Sequence, residues 1–161
     1  STFKYIPRGF VSLAEVIHSL LKKGQKVYGY LSDDYWLDIG TPERYTMANW
    51  DILDSRVGLE IPGTEIEKGV WIQKGAQLNT RVQFFAPVVI GAGVIIRAKA
   101  ELGPYVVVGA DSFIDIECVI RKSILFNDVF VGKDTLLERC IVEDNFTINP
   151  LFEGRDIILT T

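Results

Sequence analysis

The segment Ile66–Val131 repeats an apolar residue at every sixth position, and its sequence is IEKGVWIQKGAQLNTRVQFFAPVVIGAGVIIRAKAELGPYVVVGADSFIDIECVIRKSILFNDVFV. The main series comprises Ile66, Ile72, Leu78, Phe84, Ile90, Ile96, Leu102, Val108, Ile114, Ile120 and Phe126. A second series lies two residues before each later member and runs from Val70 to Ile124 in mostly small or β-branched residues. Turn-forming residues such as Gly69, Gly75 and Pro104 fill the intervals. The pattern therefore indicates a repeating structural unit of six residues.

A six-residue period fits neither the 3.6-residue period of an α-helix nor the alternation of a long strand. Each unit is therefore expected to be a short strand followed by a corner, and three corners close one coil of about 18 residues. This predicts a mainly β protein with a left-handed parallel β-helix over residues 58–161. Hairpins in a β-sandwich are the alternative, but the Asn-Gly and Asp-Gly turns that favour hairpins are absent from the sequence.

The repeat becomes irregular after Phe126. The next match, Val131, comes one residue early, and residues 145–161 show no six-residue period. We expect one final coil with a local slip, followed by a C-terminal cap. Because a solenoid must cover its open end, the residues expected to do so are Phe146, Leu151 and Phe152.

Between the two inward positions of each unit lies one residue that should point outward. Sorted by coil, these residues form three faces: Trp71, Val89, Val107 and Leu125; Gln77, Ile95 and Phe113; and Gln83, Glu101 and Val119. The first set is entirely apolar, and an exposed apolar stripe usually marks an interface. We expect this Trp71 face to be buried against another subunit or against a catalytic domain, and the Gln83 face to remain open to water. The sequence thus predicts a homo-oligomer formed through the β-helix.

Composition and charge exclude several classes of partner. The formal net charge is −4, and the chain has neither a basic patch nor an apolar run long enough to span a bilayer, so nucleic acid and membrane are not expected partners. Cys118 and Cys140 are not separated by a whole number of coils, and we expect no disulfide between them. These features favour a reducing compartment and a cytoplasmic protein.

Residues 1–57 carry signals for a helix, two strands and a second helix. Ser12-Leu13-Ala14-Glu15 is a capping box that begins the first helix, and Thr41-Pro42-Glu43 begins the second, which should run to about Ser55. Residues 25–31 and 35–40 are rich in aromatic and branched side chains and are predicted as strands. A piece of this size is small for an independent core, so it is expected to be the edge of a larger domain.

The segment 35–45, with the sequence YWLDIGTPERY, resembles the end of the catalytic domain of sugar-1-phosphate nucleotidylyltransferases. This group includes mannose-1-phosphate guanylyltransferases and glucose-1-phosphate thymidylyl- and adenylyltransferases. In the family a Trp-Leu-Asp-x-Gly-Thr segment precedes a helix, and several members continue into a hexapeptide-repeat β-helix. The resemblance implies that residues 1–57 are a small α+β remnant of the catalytic domain. The missing N-terminal part of that domain is the expected partner. The residues of the motif slightly favour the mannose-1-phosphate guanylyltransferase type.

The resemblance also implies a metal ligand. The aspartate of the motif matches Asp38, which in the intact enzyme would help to hold the catalytic Mg²⁺; the structural alternative is a carboxylate that caps the helix beginning at Thr41. The nucleotide-binding loop and the first metal-binding aspartate of the family lie upstream. The chain contains no Gly-rich phosphate cradle, so it is expected to be inactive alone and to bind no cofactor by itself.

Two other functions use the same fold. A hexapeptide-repeat acyltransferase needs a general base, usually histidine, and the only histidine, His18, lies in the first predicted helix rather than in the β-helix. The second alternative is a purely structural oligomerisation module. No substrate-binding residue can be assigned from the sequence.

Overall fold

The computed structural model describes Ile6, Gly9 and residues 11–160. The chain separates into two compact units, residues 1–34 and residues 35–161, and the domain boundary that we predicted after residue 57 stays a prediction. The helices are α1 (Leu13–Lys22) and α2 (Pro42–Leu53). The strands are β1 (Thr64–Glu67), β2 (Val70–Ile72), β3 (Gln77–Leu78), β4 (Gln83–Phe84), β5 (Val88–Ile90), β6 (Ile95–Ile96), β7 (Glu101–Leu102), β8 (Val106–Val108), β9 (Phe113–Ile114), β10 (Val119–Arg121), β11 (Ser123–Leu125), β12 (Phe130–Val131), β13 (Leu136–Glu138), β14 (Ile141–Val142), β15 (Thr147–Ile148), β16 (Glu153–Arg155) and β17 (Ile158–Leu159).

Helix α1 begins at the predicted capping box. The amide of Glu15 donates to the Ser12 hydroxyl over 3.2 Å, and the amide of Ser12 donates to the Glu15 carboxylate over 2.8 Å. These hydrogen bonds lower the pKa of Glu15. Val16 and Leu20 of this helix are buried, whereas Leu13 is largely exposed.

The two strands predicted at residues 25–31 and 35–40 are not formed. Both segments are irregular in the described structure, and nearly all of their residues are exposed. A strand is stabilised by hydrogen bonds to a neighbouring strand, and neither segment pairs with another part of the described chain. The aromatic and branched composition of these segments is therefore insufficient to form strands in this chain.

Residues 70–159 form the predicted parallel β-helix, and the mainly β fold class is confirmed. Its strands stack into three sheets, which we call sheets A, B and C. Sheet A has the order β1-β2-β5-β8-β11-β14-β17, sheet B the order β3-β6-β9-β12-β15, and sheet C the order β4-β7-β10-β13-β16. Every pairing is parallel except that of β1 with β2.

The inward side chains form one continuous core. Ile90, Ile96, Leu102, Ile114 and Ile120 are all at most 1% exposed. The few polar groups at inward positions are satisfied by backbone carbonyls: the Ser112 hydroxyl donates to Phe126 over 3.2 Å, and the Thr135 hydroxyl to Gly132 over 2.6 Å. Cys118 and Cys140 are free and buried, as expected, and burial raises the pKa of the Cys118 thiol to about 11.

The length of a coil changes once, at the corner around Lys122. Val88 pairs with Val106, and at the same spacing Val106 would pair with Ile124, yet it pairs with Ser123. The coil is therefore one residue shorter from this corner onward, and the shorter spacing persists in every later coil, as in the pairing of Ile124 with Ile141. The slip thus lies earlier than the position before Val131 where we predicted it.

This shift corrects the predicted orientation of two residues. Leu125 pairs with the inward residue Val108 and is 1% exposed in the core, so its assignment to the outward Trp71 face was wrong. Ile124 pairs with the outward residue Val107 and is therefore the outward residue of the Trp71 face in this coil. Phe126, predicted to point inward, lies in the following corner.

Both ends of the solenoid differ from the prediction. Ile66 lies in β1, which runs antiparallel to β2, and it is 53% exposed rather than inward. At the other end the coils continue to Leu159, so the predicted C-terminal cap is not formed. Phe146 and Phe152 belong to these continuing coils and pack against the core, whereas Leu151 is an exposed corner residue with positive φ.

Candidate interaction surfaces of the β-helix

Helix α2 packs against the outer surface of sheet A. The Thr41 hydroxyl accepts a hydrogen bond from the amide of Arg44 over 3.3 Å and caps the helix, and Pro42 occupies its first turn. Two aromatic contacts then join α2 to the β-helix. The rings of Tyr45 and Phe126 meet edge to face at 5.7 Å between centroids, and Trp50 lies 5.3 Å from Tyr105.

The surface beneath α2 is apolar along its whole length. With the corrected register, the outward residues of sheet A are Trp71, Val89, Val107, Ile124, Ile141 and Ile158. Ile124 is 2% exposed although it points away from the core, which places it beneath α2, whereas Ile158 is 49% exposed. This chain therefore covers the centre of the Trp71 face with its own helix, while the burial of that face against a second subunit or a catalytic domain stays a prediction.

A groove lies on each side of α2. The groove near the beginning of the helix, of about 400 Å³, is lined by Pro42, Glu43, Thr46, Trp50, Lys122, Arg139, Cys140, Ile141, Asp156, Ile157 and Ile158. The groove near its end, of about 340 Å³, is lined by Asn49, Ile52, Leu53, Ile61, Pro62, Gln73, Val89, Gly91, Val107, Val108, Gly109, Ala110 and Asn127. Of the ionisable residues in the first groove, Arg139 and Asp156 are paired with each other, and Cys140 is buried, which raises the pKa of its thiol.

A chain of polar contacts fixes the end of α2. The Tyr35 hydroxyl donates to Asp51 over 2.8 Å, and Arg56 pairs with Asp51 at 2.8 Å and with Asp54 at 3.1 Å. The Tyr105 hydroxyl donates to Asp54 over 2.9 Å. This hydrogen bond, with some burial, raises the pKa of Tyr105, and burial followed by the hydrogen bond to Asp51 raises the pKa of Tyr35.

Charged corners line the groove at the beginning of α2. The Arg139 guanidinium binds the carboxylate of Asp156 in the next coil and that of Glu138 beside it. The hydrogen bond from Arg139 lowers the pKa of Asp156, and the same contact raises the pKa of Arg139. Both partners are already neutralised, so they do not present a free charge to a ligand.

The predicted magnesium ligand lies in the irregular segment before α2. Asp38 is exposed, and the cap of α2 is provided by Thr41 rather than by Asp38. Within the described part of the chain, no group of three or more histidine, cysteine, aspartate or glutamate residues could hold a metal ion. A single exposed carboxylate is a poor magnesium site, because the ion needs near-octahedral coordination and is usually shared with substrate phosphates. Among the described residues, Asp38 is therefore not part of a group that could hold the implied ion.

The outer surfaces of sheets B and C differ in polarity. Sheet B presents Gln77, Ile95, Phe113, Phe130 and Thr147, and the rings of Phe113 and Phe130 stack at 5.2 Å with an interplanar angle of 2°. Sheet C presents Gln83, Glu101, Val119, Leu136 and Glu153. Phe130 was not predicted to point outward, because a constant coil length was assumed. The phenylalanine that recurs one position short of a full coil after Phe113 was the available signal.

Comparisons with known proteins agree with the resemblance drawn from the sequence. Residues 84–155 match the family model described as "GMPPB C-terminal domain". A glucose-1-phosphate adenylyltransferase of Desulforamulus reducens is 29% identical over 136 residues, which cover 79% of this chain and 31% of that protein. The corresponding protein of Desulfitobacterium hafniense is 30% identical over 134 residues, which cover 81% of this chain and 28% of the relative.

Solved structures with a similar course of the chain include an acetyltransferase domain and a protein in complex with CoA and GDP-perosamine. The acetyltransferase domain of PglB from Neisseria gonorrhoeae is 13% identical, with a TM-score of 0.38 over 68% of this chain and 55% of that chain. PerB from Caulobacter crescentus is 22% identical, with a TM-score of 0.33 over 56% of this chain and 51% of that chain. Scores at this level support no functional inference.

The recognition made from residues 35–45 and the repeats is thereby confirmed: the chain is similar to the C-terminal portion of sugar-1-phosphate nucleotidylyltransferases. It spans less than a third of the length of the first curated relatives that it matches. Among the described residues, neither helix has the length and apolar character needed to cross a membrane.

Proposed function

We propose that this chain, whose residues 84–155 match the GMPPB C-terminal domain family, is the C-terminal assembly part of a sugar nucleotidylyltransferase. The reaction of the whole enzyme joins a sugar-1-phosphate to a nucleoside triphosphate and gives a nucleotide sugar and pyrophosphate. In this proposal the β-helix supplies no reacting group. Its role is to hold the last segment of the catalytic domain and to assemble subunits.

The packing of α2 on sheet A is the observation that carries this proposal. The motif segment that resembles the family, residues 35–45, leads directly into α2. Tyr35, at the start of that segment, bonds to Asp51 of α2, and Asp54 after the helix accepts from Tyr105 of the β-helix. A catalytic domain that ends in this segment would therefore be joined to a rigid solenoid through a short, packed helix rather than through a free linker.

The choice of substrates is a finer part of the proposal. The matched family model and the residues of the motif at positions 35–45 favour mannose-1-phosphate and guanosine triphosphate as substrates. The curated relatives named above, by contrast, are glucose-1-phosphate adenylyltransferases. Asp38 stays a predicted magnesium ligand of the longer protein only, since its exposed carboxylate needs further donors. We place the protein in the cytoplasm, which agrees with its two free cysteines.

The test compares this chain with the full product of its gene. The full-length protein is incubated with each combination of nucleoside triphosphate and sugar-1-phosphate, and pyrophosphate release is measured with Mg²⁺ present and after chelation. We expect GDP-mannose formation by the full-length protein and no pyrophosphate release by the 161-residue chain.

Each outcome decides one part of the proposal. Pyrophosphate release by the 161-residue chain would contradict the assignment of catalysis to an upstream domain. A full-length protein that uses only ATP and glucose-1-phosphate would overturn the mannose assignment and keep the enzyme class. Acetyl-CoA turnover without any nucleotidyl transfer would refute the class itself.

A further inference from the structure

The polar contacts at the end of α2 form one continuous chain with an arginine at its centre. The Arg56 guanidinium binds one oxygen of Asp51 over 2.8 Å and one oxygen of Asp54 over 3.1 Å. The second oxygen of Asp51 accepts from the Tyr35 hydroxyl over 2.8 Å, and the second oxygen of Asp54 accepts from the Tyr105 hydroxyl over 2.9 Å. The two tyrosines are therefore joined through two carboxylates and one guanidinium, and we call these five residues the Arg56 relay.

The two ends of the relay belong to different parts of unit 35–161. Tyr35 is the first residue of the motif segment 35–45, which leads into α2, and Tyr105 lies in the corner between β7 and β8. The relay thus runs from the motif segment, across the end of α2, to the β-helix. Contacts that only closed the end of α2 would not have to extend to Tyr35.

The charges at the end of α2 explain why Arg56 is central to the relay. The C-terminal end of a helix carries a partial negative charge, so the carboxylates of Asp51 and Asp54 are unfavourable there unless a cation compensates them. Helix α2 has no basic residue in its last turn. Arg56 supplies the cation, and its own amide donates to the carbonyl of Asp51 over 2.9 Å. The two carboxylates consequently share one guanidinium.

This sharing should make the two ends of the relay depend on each other. A planar guanidinium binds two carboxylates at once through different nitrogens, which the ammonium group of a lysine cannot do in the same geometry. Asp51 is only 8% exposed, so water screens its contacts weakly. Hydrogen bonds in such a network polarise one another, so their energies are not a simple sum. The loss of one tyrosine hydroxyl should therefore change the contact of the other.

We propose that Arg56 is a positioning residue that couples the motif segment 35–45 to the β-helix corner at Tyr105. The inference deepens the proposed function, on which its consequence for the reaction rests. The β-helix then fixes the place of the segment in which the catalytic domain ends, in addition to assembling subunits. Arg56 touches no substrate in this proposal, because it acts through Asp51 and Tyr35.

A double-mutant cycle in the 161-residue chain tests the coupling. Tyr35→Phe and Tyr105→Phe each remove one hydroxyl and keep the ring, and each should lower the equilibrium constant for folding about fivefold. Independent contacts would give a loss of about 25-fold in the double variant, whereas coupled contacts should give a loss at least about twofold smaller. Urea unfolding of the wild type and the three variants measures these losses.

Arg56→Lys separates positioning from simple compensation of charge. Lysine keeps a cation near the end of α2 but cannot bridge both carboxylates in the same way. In the Arg56→Lys background the effects of the two phenylalanine substitutions should therefore become additive. The matched control is Arg121→Lys, because Arg121 pairs with the single carboxylate of Glu101 on sheet C at 3.4 Å. The coupling should persist in this control.

The full-length protein tests the consequence for the reaction. We expect Tyr105→Phe and Arg56→Lys each to lower the kcat of pyrophosphate release at least about threefold, with a smaller change in KM, because a displaced segment alters the geometry of the reacting groups. Arg121→Lys should change neither kcat nor KM. Circular dichroism establishes that each variant is folded.

Other results overturn the inference. Additive losses in the first cycle would show that the two tyrosines act independently. Coupling that survives in the Arg56→Lys background would remove Arg56 from its path, and an unchanged kcat in full-length Tyr105→Phe would remove the positioning role. A wild-type full-length protein that transfers no nucleotidyl group would refute the proposed function instead, while the cycle in the 161-residue chain would still decide whether the relay exists.

Discussion

Tyr105 and Asp54 are 51 residues apart in the chain, and their hydrogen bond of 2.9 Å joins the end of α2 to a corner of the β-helix. The indole of Trp50 lies against the same tyrosine ring. We predict that Tyr105→Phe keeps the aromatic contact and lowers the free energy of unfolding by about 1 kcal/mol, the net value of a typical hydrogen bond. Thermal or urea unfolding of the purified chain measures the change.

The matched control for this variant is Tyr28→Phe, in which the tyrosine is 82% exposed and belongs to the first unit. It should leave stability within about 0.5 kcal/mol of the wild type. Equal losses in the two variants would show that the bond between Tyr105 and Asp54 does not stabilise the packing of α2.

Leu125 and Ile124 are adjacent, and they should respond differently to substitution because the coil places them on opposite sides of sheet A. Leu125→Ala removes core volume and should cost about 2–5 kcal/mol of unfolding free energy. Ile124→Asp should instead release α2, and tryptic cleavage at Arg44 should become faster while the coils remain folded. Leu151→Ala, at a residue that is 71% exposed, serves as the control and should change neither property.

Gly109 occupies a corner where no larger residue fits. A Cβ atom at this position would lie 2.6 Å from the backbone carbonyl of Phe126 in the next coil. Gly109→Ala should therefore separate the two coils locally and lower the melting temperature by several degrees. Gly29→Ala, where a Cβ would meet no atom within 4 Å, is expected to melt like the wild type.

The ion pair of Arg139 and Asp156 predicts a dependence of stability on pH. The folded pKa of Asp156 is lower than its ordinary value of 3.8, so its contribution is present above that value and is lost as the pH falls through the folded pKa. Asp156→Asn should lower the melting temperature slightly at about pH 7 and make less difference at about pH 2. A difference that grows on acidification would contradict this sign. The effect is small because the pair is exposed.

Features determined by local sequence were the ones that the sequence predicted well. The six-residue period located the strands from Val70 to Ile120, and the capping residues Ser12 and Thr41 located the starts of both helices. Each of these depends on neighbours a few residues away. The coil that lost one residue at Lys122 was misread because Ile124, Leu125 and Phe126 are all apolar, so hydrophobicity alone could not choose the register.

Features determined by distant partners were not predictable in the same way. Residues 25–31 have the composition of a strand but find no pairing partner in the described chain. The cover on Ile124 comes from α2, which lies far earlier in the chain, and nothing in either segment alone indicates that the two would meet. The outward apolar stripe indicated an interface, whereas the part of the chain that fills its centre became known only from the folded structure.

Because the coil shortens by one residue at Lys122, the solenoid has longer turns before this corner and shorter turns after it. A turn can be removed from either half without disturbing the others only if its full length is removed. Removal of residues 123–139 would delete one complete turn of the shorter kind and join Lys122 to Cys140, which occupies the same position in the next turn as Ser123. Every later side chain would keep its direction. Removal of one residue more from that half, by contrast, would change the direction of the later side chains and turn Val142 and Ile148 out of the core. Evolutionary or engineered changes in the length of this protein are therefore expected in whole turns, counted separately for the two halves.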